Sequence, residues 1–373
     1  MKSSQSFGTL TRRRFTSIST LGFLGLMTSS AGATIATPSL LSHDRRVASP
    51  QSMNSFGTTF SQLQCWYLGL DYQETFREIC QLGFKRVRLC SYWHEIQPKE
   101  RTFDYSALDW LLDECDRHNI EVVLTVGMKA PRYPEFHFPD WFRDRYDTQT
   151  TRKPLDANPA IADHTLYFID RVVRHTRSSP AIKYWQVENE PFTRLEITKG
   201  RSISPQFVQK EVELVRSRSL PRQKILLTNA ITLPDGQLTE DEHAFEASLK
   251  LADAVGFNVY TKVPQGTTQV YLEAQPSYWS KLKAWQTELQ RQGKEAWIAE
   301  AQAEPWEPNE LVPVAHVDYP SSSPAQAASI VDSAQAIGFN PILLWGCEYW
   351  YWNYKQGRNQ WWQGMQQLIS FNH

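Results

Sequence analysis

From about residue 56 onward, short apolar runs alternate with longer stretches in which apolar residues return every three or four positions. Eight of the runs read as buried strands: Gly57 to Phe60, Arg86 to Leu89, Glu121 to Val126, Ile182 to Val187, Lys224 to Thr228, Ala254 to Val259, Ala296 to Ala299 and Ile342 to Trp345. The helical period is carried by Tyr72 to Leu82, Ser106 to Arg117, Pro205 to Arg218, Ser277 to Gln292, Pro324 to Ala336 and Gln360 to Ile369. Leu82-Gly83 and His118-Asn119 close the first two helices before the next strand begins. Strands alternating with helices of this length predict βαβ units and a parallel sheet.

An open doubly wound sheet gives the same alternation, but no Gly-rich phosphate loop follows the first strand. Nearly every strand instead ends in Arg, Trp, Asn, Glu or Tyr, which is what a ring of loops around one functional face requires. The pattern predicts an α/β chain folded as a single (β/α)8 TIM barrel over residues 56–373. Two long segments, Gly127 to Asp163 and Ala301 to Ser323, would overhang the carboxyl face and wall a cleft.

Two glutamates stand out on that face. Glu190, in Glu188-Asn189-Glu190-Pro191, follows the fourth strand, and Glu300 follows Trp297-Ile298-Ala299 of the seventh. Far apart in sequence, they meet only if a closed barrel brings the strand ends together. Two facing carboxyls can divide labour, one held neutral as proton donor and the other ionised. The alternative for Glu190 and Asn189 is a helix cap before Pro191. Glu304, in Ala303-Glu304-Pro305-Trp306, is the rival to Glu300, and its loop position suits a substrate contact. Glu188 shares strand parity with Glu190 one layer deeper, where it could bond Arg88 or hold a water. Arg88, flanked by Val87 and Leu89, needs an anionic partner if buried. It is either the guanidinium that holds the Glu300 carboxylate or an ordinary barrel ion pair. Tyr260 could hydrogen-bond Glu300 from the sixth strand, and Trp345, Trp93 and Trp141 are candidate stacking platforms among 14 tryptophans.

Composition narrows the class. Lys2, Arg12, Arg13 and Arg14 are the only charges in the first 33 residues, and the remainder holds 35 basic and 40 acidic side chains, so nothing predicts a nucleic-acid partner. Thr11-Arg12-Arg13-Arg14-Phe15, the moderately apolar Ile18 to Met27 and the small-residue Ala31-Gly32-Ala33 read as a twin-arginine-type export signal over 1–33. Periplasmic or extracellular location follows from it, with a Ser/Thr/Pro/Ala-rich linker over 34–55. No run is long enough for an integral membrane span. The five cysteines, Cys65, Cys80, Cys90, Cys115 and Cys347, have no metal spacing, and either buried thiols or one bridge among Cys65, Cys90 and Cys347 fits them. His94, His137, His164 and His316 form no HxH or HExxH, so no catalytic metal and no cofactor are predicted, and no Gly-x-Ser-x-Gly elbow occurs.

The chain resembles clan A glycoside hydrolases, the (β/α)8 retaining enzymes that include family 5 and the β-galactosidase-like family 42. Asn189-Glu190-Pro191 matches the clan's acid/base motif and Glu300 its strand-seven nucleophile. Arg88 matches the strand-two arginine, Tyr260 the strand-six tyrosine or histidine, and Trp345 the strand-eight tryptophan. Tyr92-Trp93-His94-Glu95-Ile96-Gln97-Pro98, followed by Phe103-Asp104-Tyr105 and Leu108-Asp109, resembles the segment after strand two, with Gln97 in place of the usual glutamate. The resemblance implies a retaining β-glycosidase acting on a polysaccharide or oligosaccharide, with Glu190 as acid/base, Glu300 as nucleophile and Asn189 donating to the sugar 2-hydroxyl. The same residues would serve a transglycosidase, and a carbohydrate-binding protein on this scaffold is the alternative outside catalysis.

Overall fold

The computed structural model describes residues 55–194, 196–233, 238–308, 310 and 312–370. The expected export signal, and the linker apart from Ser55, lie outside them.

Eight strands form a closed, all-parallel barrel: β1 Phe56–Thr59, β2 Arg86–Cys90, β3 Glu121–Val126, β4 Ile182–Val187, β5 Lys224–Ala230, β6 Ala254–Val259, β7 Glu295–Gln302 and β8 Ile342–Trp345. Each expected run is a strand, and β7 continues past Ala299 to Gln302. Closure comes from β1 beside β8, with Phe56 opposite Ile342 and Thr59 opposite Trp345. A two-stranded antiparallel hairpin, Lys262–Pro264 with Tyr271–Glu273, follows β6.

The helices begin where local chemistry supplies a cap. Ser204, Ser323 and Asn158 each precede a proline and accept a backbone N–H from the first turn, so the helices Pro205–Arg218, Pro324–Ile337 and Pro159–Thr176 start there. The last of these corrects the expected loop from Gly127 to Asp163. Its apolar residues Ile161, Phe168, Ile169, Val172 and Val173 are buried at helical spacing, and the Asn158-Pro159 start was the overlooked signal. The remaining loop holds only the short turns Asp140–Arg143 and Leu155–Ala157.

Inside the barrel, alternate residues point inward. Val123, Tyr184, Leu226, Ala254, Trp297 and Leu343 form an apolar layer, closed at the amino ends of the strands by the Arg86 guanidinium, 5.0 Å from the Tyr184 ring and 4.6 Å from Trp297. Toward the carboxyl ends the interior turns polar, with Arg88, Gln186 and Thr228 fully buried. All five cysteines are free, buried thiols.

One irregularity decides which way Glu300 faces. Phe257 pairs with Ile298, but the next residue, Asn258, pairs with Glu300, and β8 registers the same extra residue in β7. This β-bulge at Ala299 breaks the period-two alternation, so Trp297 and Glu300 both turn toward the barrel axis. Gly256 makes room for it, since a Cβ there would lie 2.7 Å from the Ala299 Cβ.

Candidate active site

Glu300 sits at the mouth of the barrel, 4 % exposed. Arg88 Nη2 donates to its Oε1 and Tyr260 donates its hydroxyl to Oε2 at 2.7 Å. Arg88 is itself held by Thr59 Oγ1 at 2.9 Å and Gln186 Oε1 at 3.3 Å. Arg88 and Tyr260 thus both hold the Glu300 carboxyl, one oxygen each, as a charge-assisted pair and a phenol donor. Burial, then the Glu300 charge, push the Tyr260 phenol above its ordinary value, so it stays a donor.

Glu190 lies across the mouth, 5 % exposed, in the turn that ends β4. Glu188 and Glu190 both adopt left-handed backbone conformations, φ 58° and 44°, which non-glycine residues rarely hold without surrounding constraint. Here the Glu190 amide donates to Thr228 Oγ1 at 3.0 Å and its carbonyl accepts from Lys129 Nζ at 3.0 Å. Asn258 Nδ2 donates to Glu190 Oε1 at 2.6 Å. Burial, followed by the charge of Glu135, pushes the Glu190 carboxyl up to about 8; Glu300 adds to this while Lys129 and Asn258 oppose it. The two glutamates thus have the contrast that divided acid and nucleophile roles need: one carboxyl neutral near pH 7, the other held by a cation.

Asn189 is 2 % exposed, and its Oδ1 accepts from Gln186 Nε2 at 3.2 Å and Thr228 Oγ1 at 3.3 Å. With the oxygen taken, its NH2 is the end left to donate to a ligand.

Four expectations need correction. Trp93 is fully buried, stacked on Phe168 at 5.0 Å with its indole N–H on Gln97, so it braces the outer core and cannot meet a sugar. Glu188 does not reach Arg88: its oxygens accept the backbone amides of Met128 at 2.8 Å and Lys129 at 2.6 Å. Room for that turn exists because residue 127 is glycine, where a Cβ would lie 2.2 Å from Glu188 Oε1. Glu304 is not an independent loop contact, because it pairs with Arg132 and accepts the Trp345 indole N–H at 2.8 Å. Trp345 is not an open platform either, since the Arg132 guanidinium lies 4.0 Å from its ring centroid.

The sequence reading missed Lys129, Arg132, Glu135, Asn258 and Glu348. Arg132 bridges Glu304 and Glu348, the latter fully buried at the start of the helix Cys347–Lys355. Trp306 is 38 % exposed and meets Tyr260 edge-on at 5.3 Å, so it, rather than Trp93, is the exposed indole next to a residue that holds Glu300. Charge clustered in the Lys129 to Glu135 loop was the available signal, but no spacing rule points a loop residue at a barrel axis. Among the described residues, no group of three metal-ligating side chains converges. A cavity of about 360 Å³, lined by Pro191, Phe192, Arg194, Ile203, His243 and Ala247 among others, begins one residue past Glu190, though neither Glu190 nor Glu300 lines it.

Residues 69–210 match the family model of glycoside hydrolase family 42, described as beta-galactosidase. A polyextremophilic β-galactosidase from the Antarctic haloarchaeon Halorubrum lacusprofundi superposes with TM-score 0.54 at 14 % identity, over 78 % of this chain and 52 % of its own. An exo-β-1,4-mannosidase from Opitutaceae bacterium strain TAV5 gives 0.57 at 15 %, over 86 % and 59 %. A GH5_18 protein from Bifidobacterium longum subsp. longum, solved with Manβ1-4GlcNAc, gives 0.59 at 13 %, over 85 % and 78 %. The chain spans about half the length of the β-galactosidases it matches. Its fold is the (β/α)8 barrel that these glycoside hydrolases share, and the match over residues 69–210 agrees with the expected resemblance to family 42.

Proposed function

We propose that this chain is a retaining β-glycosidase in which Glu190 is the acid/base and Glu300 the nucleophile. The observation that carries the reading is the asymmetry of the pair: Glu300 is clamped by Arg88 and Tyr260, while burial raises Glu190 to about 8.

In the first half-reaction the Glu300 carboxylate attacks the anomeric carbon as the bond to the leaving oxygen breaks, and Glu190 gives that oxygen its proton. In the second, a water attacks the glycosyl-enzyme, loses its proton to Glu190 and releases Glu300. Asn189 donates to the sugar 2-hydroxyl, Trp306 offers its face to the glycone, and the leaving group lies toward the cavity bounded by Pro191 and Phe192. No cofactor takes part. A β-linked galactoside or mannoside is the substrate class we favour, since the similar barrels include a β-galactosidase and an exo-β-1,4-mannosidase. Carboxylates only 5 % and 4 % exposed favour a chain end over an open groove. The Arg12-Arg13 motif supports export from the cytoplasm.

The test is hydrolysis of a panel of aryl β-glycosides and β-linked oligosaccharides by the wild type beside Glu190→Ala and Glu300→Ala. Loss in both, with azide restoring turnover as a glycosyl azide, is expected. A folded wild type that binds sugars and turns over none would instead make this a carbohydrate-binding protein. Replacing Arg12 and Arg13 by lysine and fractionating cells checks export: an unchanged extracytoplasmic yield rejects it.

A further inference from the structure

A buried lysine is costly unless its charge is met, and Lys129 is 2 % exposed with no role in the chemistry just described. Its ammonium lies 3.2 Å from Glu135 Oε2, 3.0 Å from the Glu190 carbonyl and 4.0 Å from Glu190 Oε2. Glu135 reaches the same point because the loop after β3 folds back on itself. Lys129 pairs with Phe136 in an isolated bridge, His137 N donates to the Met128 carbonyl at 3.0 Å, and Glu135 itself sits at φ 63°. One cation therefore stands between two carboxyls, one of them the acid of the proposed reaction.

We infer that Lys129 is a positioning residue whose single ammonium is shared between Glu135 and Glu190 and passes from one toward the other as Glu190 changes charge. This rests on the reading of Glu190 as acid/base. While Glu190 carries its proton, the nearer anion is Glu135 and the ammonium belongs to it. When Glu190 passes that proton to the leaving oxygen, which keeps the electron pair of the broken C–O bond, a new carboxylate appears with the ammonium already 4.0 Å away. The anchor on the Glu190 carbonyl keeps the cation in place through both states. When water returns a proton to Glu190, the ammonium falls back to Glu135. Without Glu135, Lys129 would hold Glu190 ionised and spoil the acid; without Lys129, each deprotonation would leave an unmet charge in a buried site.

The other charged groups facing this cluster are few. Glu300 acts on Glu190 and Glu135 from β7, in the same direction on both. Arg201, its guanidinium 4.4 Å from the Phe136 ring, acts on Glu135 from the far side. Asn258 on β6 is a neutral donor to Glu190. None of them touches both carboxyls as Lys129 does.

Opposite-charge neighbours at this distance move a carboxyl by about one pH unit or more, and the two members of the pair should move Glu190 in opposite directions. In kcat/KM profiles with an unactivated β-glycoside, Lys129→Met is expected to shift the alkaline limb up by about one unit and Glu135→Gln to shift it down by about one unit. With a 2,4-dinitrophenyl glycoside, whose leaving group needs no proton, the opposite shifts of the alkaline limb should disappear from the glycosylation step of both variants. Alkaline limbs that stay put, or move the same way, overturn the inference. If Lys129→Met fails to fold, the isosteric Glu135→Gln decides alone: a limb unmoved or shifted upward overturns it. If the wild type turns over no glycoside, the glycosidase reading fails separately. Carboxyl ¹³C NMR titration of Glu190 in the wild type and Glu135→Gln then reads the same downward shift without turnover, and its absence overturns the sharing.

Discussion

Asn258 stands opposite Glu300 across the β6–β7 pair and donates its side-chain amide to Glu190 Oε1 at 2.6 Å. One residue thus locks the spacing of both carboxyls, with its backbone set by the bulge at Ala299 and its side chain by the acid. A donor to a carboxylate favours the charged form, so its loss should leave Glu190 protonated to higher pH. Asn258→Ala is expected to lower kcat about tenfold or more, as loss of one aligned donor does, while the alkaline limb of the pH–rate profile moves upward. A profile limb that moves downward would contradict this geometry.

Arg88 is fully buried against a buried Glu300. Removing one partner of such a pair strands the other's charge, which costs about 3–5 kcal/mol. Urea unfolding of Arg88→Met should register a loss of that order, and the double variant Arg88→Met with Glu300→Gln should recover part of it. Additive losses in the double variant would mean that the pair does not act as a unit.

Glu188 and Glu211 are both fully buried and face each other from β4's end and the helix Pro205–Arg218. Neither Glu211 oxygen meets a hydrogen-bond donor among the described residues, and Glu188 is the carboxyl that faces it. Burial raises Glu188 to about 7, and burial together with the Glu188 charge raises Glu211 further above the usual carboxylate range. Raised folded values mean that the folded state binds more protons than the unfolded one above about pH 4.5. Their contribution to stability is therefore complete below that pH and declines as pH rises through about 7. Glu211→Gln, which keeps a donor for Glu188 without the titration, should flatten the decline and gain about 1–3 kcal/mol at pH 8 relative to the wild type. Denaturant unfolding at pH 5 and pH 8 measures it.

Trp306 and Trp93 should separate cleanly. Trp306→Ala removes an exposed face beside Tyr260 and is expected to raise KM about tenfold with folding stability within about 0.5 kcal/mol. Trp93→Ala empties a core site and should cost about 3–5 kcal/mol in unfolding free energy, with KM of the folded fraction unchanged. The reverse pattern would return Trp93 to the ligand site.

On the proposed reading, the cavity bounded by Pro191 and Phe192 should sense only the leaving group. Ala247→Trp fills it from the helix Leu238–Leu251. Glycosylation by substrates with bulky aglycones should slow about tenfold or more, while glycosyl fluorides, whose leaving group is one atom, react as before. Equal effects on both would detach the cavity from the reaction.

Much of this was written in the order of residues. Apolar runs at regular intervals set the eight strands, because a parallel barrel strand buried on both faces must be apolar along its length, and β3, β4, β6 and β8 begin and end where the pattern does. Glu190, Glu300, Arg88 and Tyr260 were legible because a strand's carboxyl end is a position in sequence as well as in space. Three-dimensional closure decided the rest. Whether Glu300 faces inward depends on a one-residue bulge that no alternation rule announces, since register is a property of two strands and not of one. Lys129, Arg132 and Glu135 reach the site through a loop whose path is set by contacts with residues far along the chain, and Trp93 leaves it because Phe168, from a helix the pattern hid, supplies a better partner than water. Local periodicity encodes which residues are buried; which of the buried ones meet is fixed only when the sheet closes on itself.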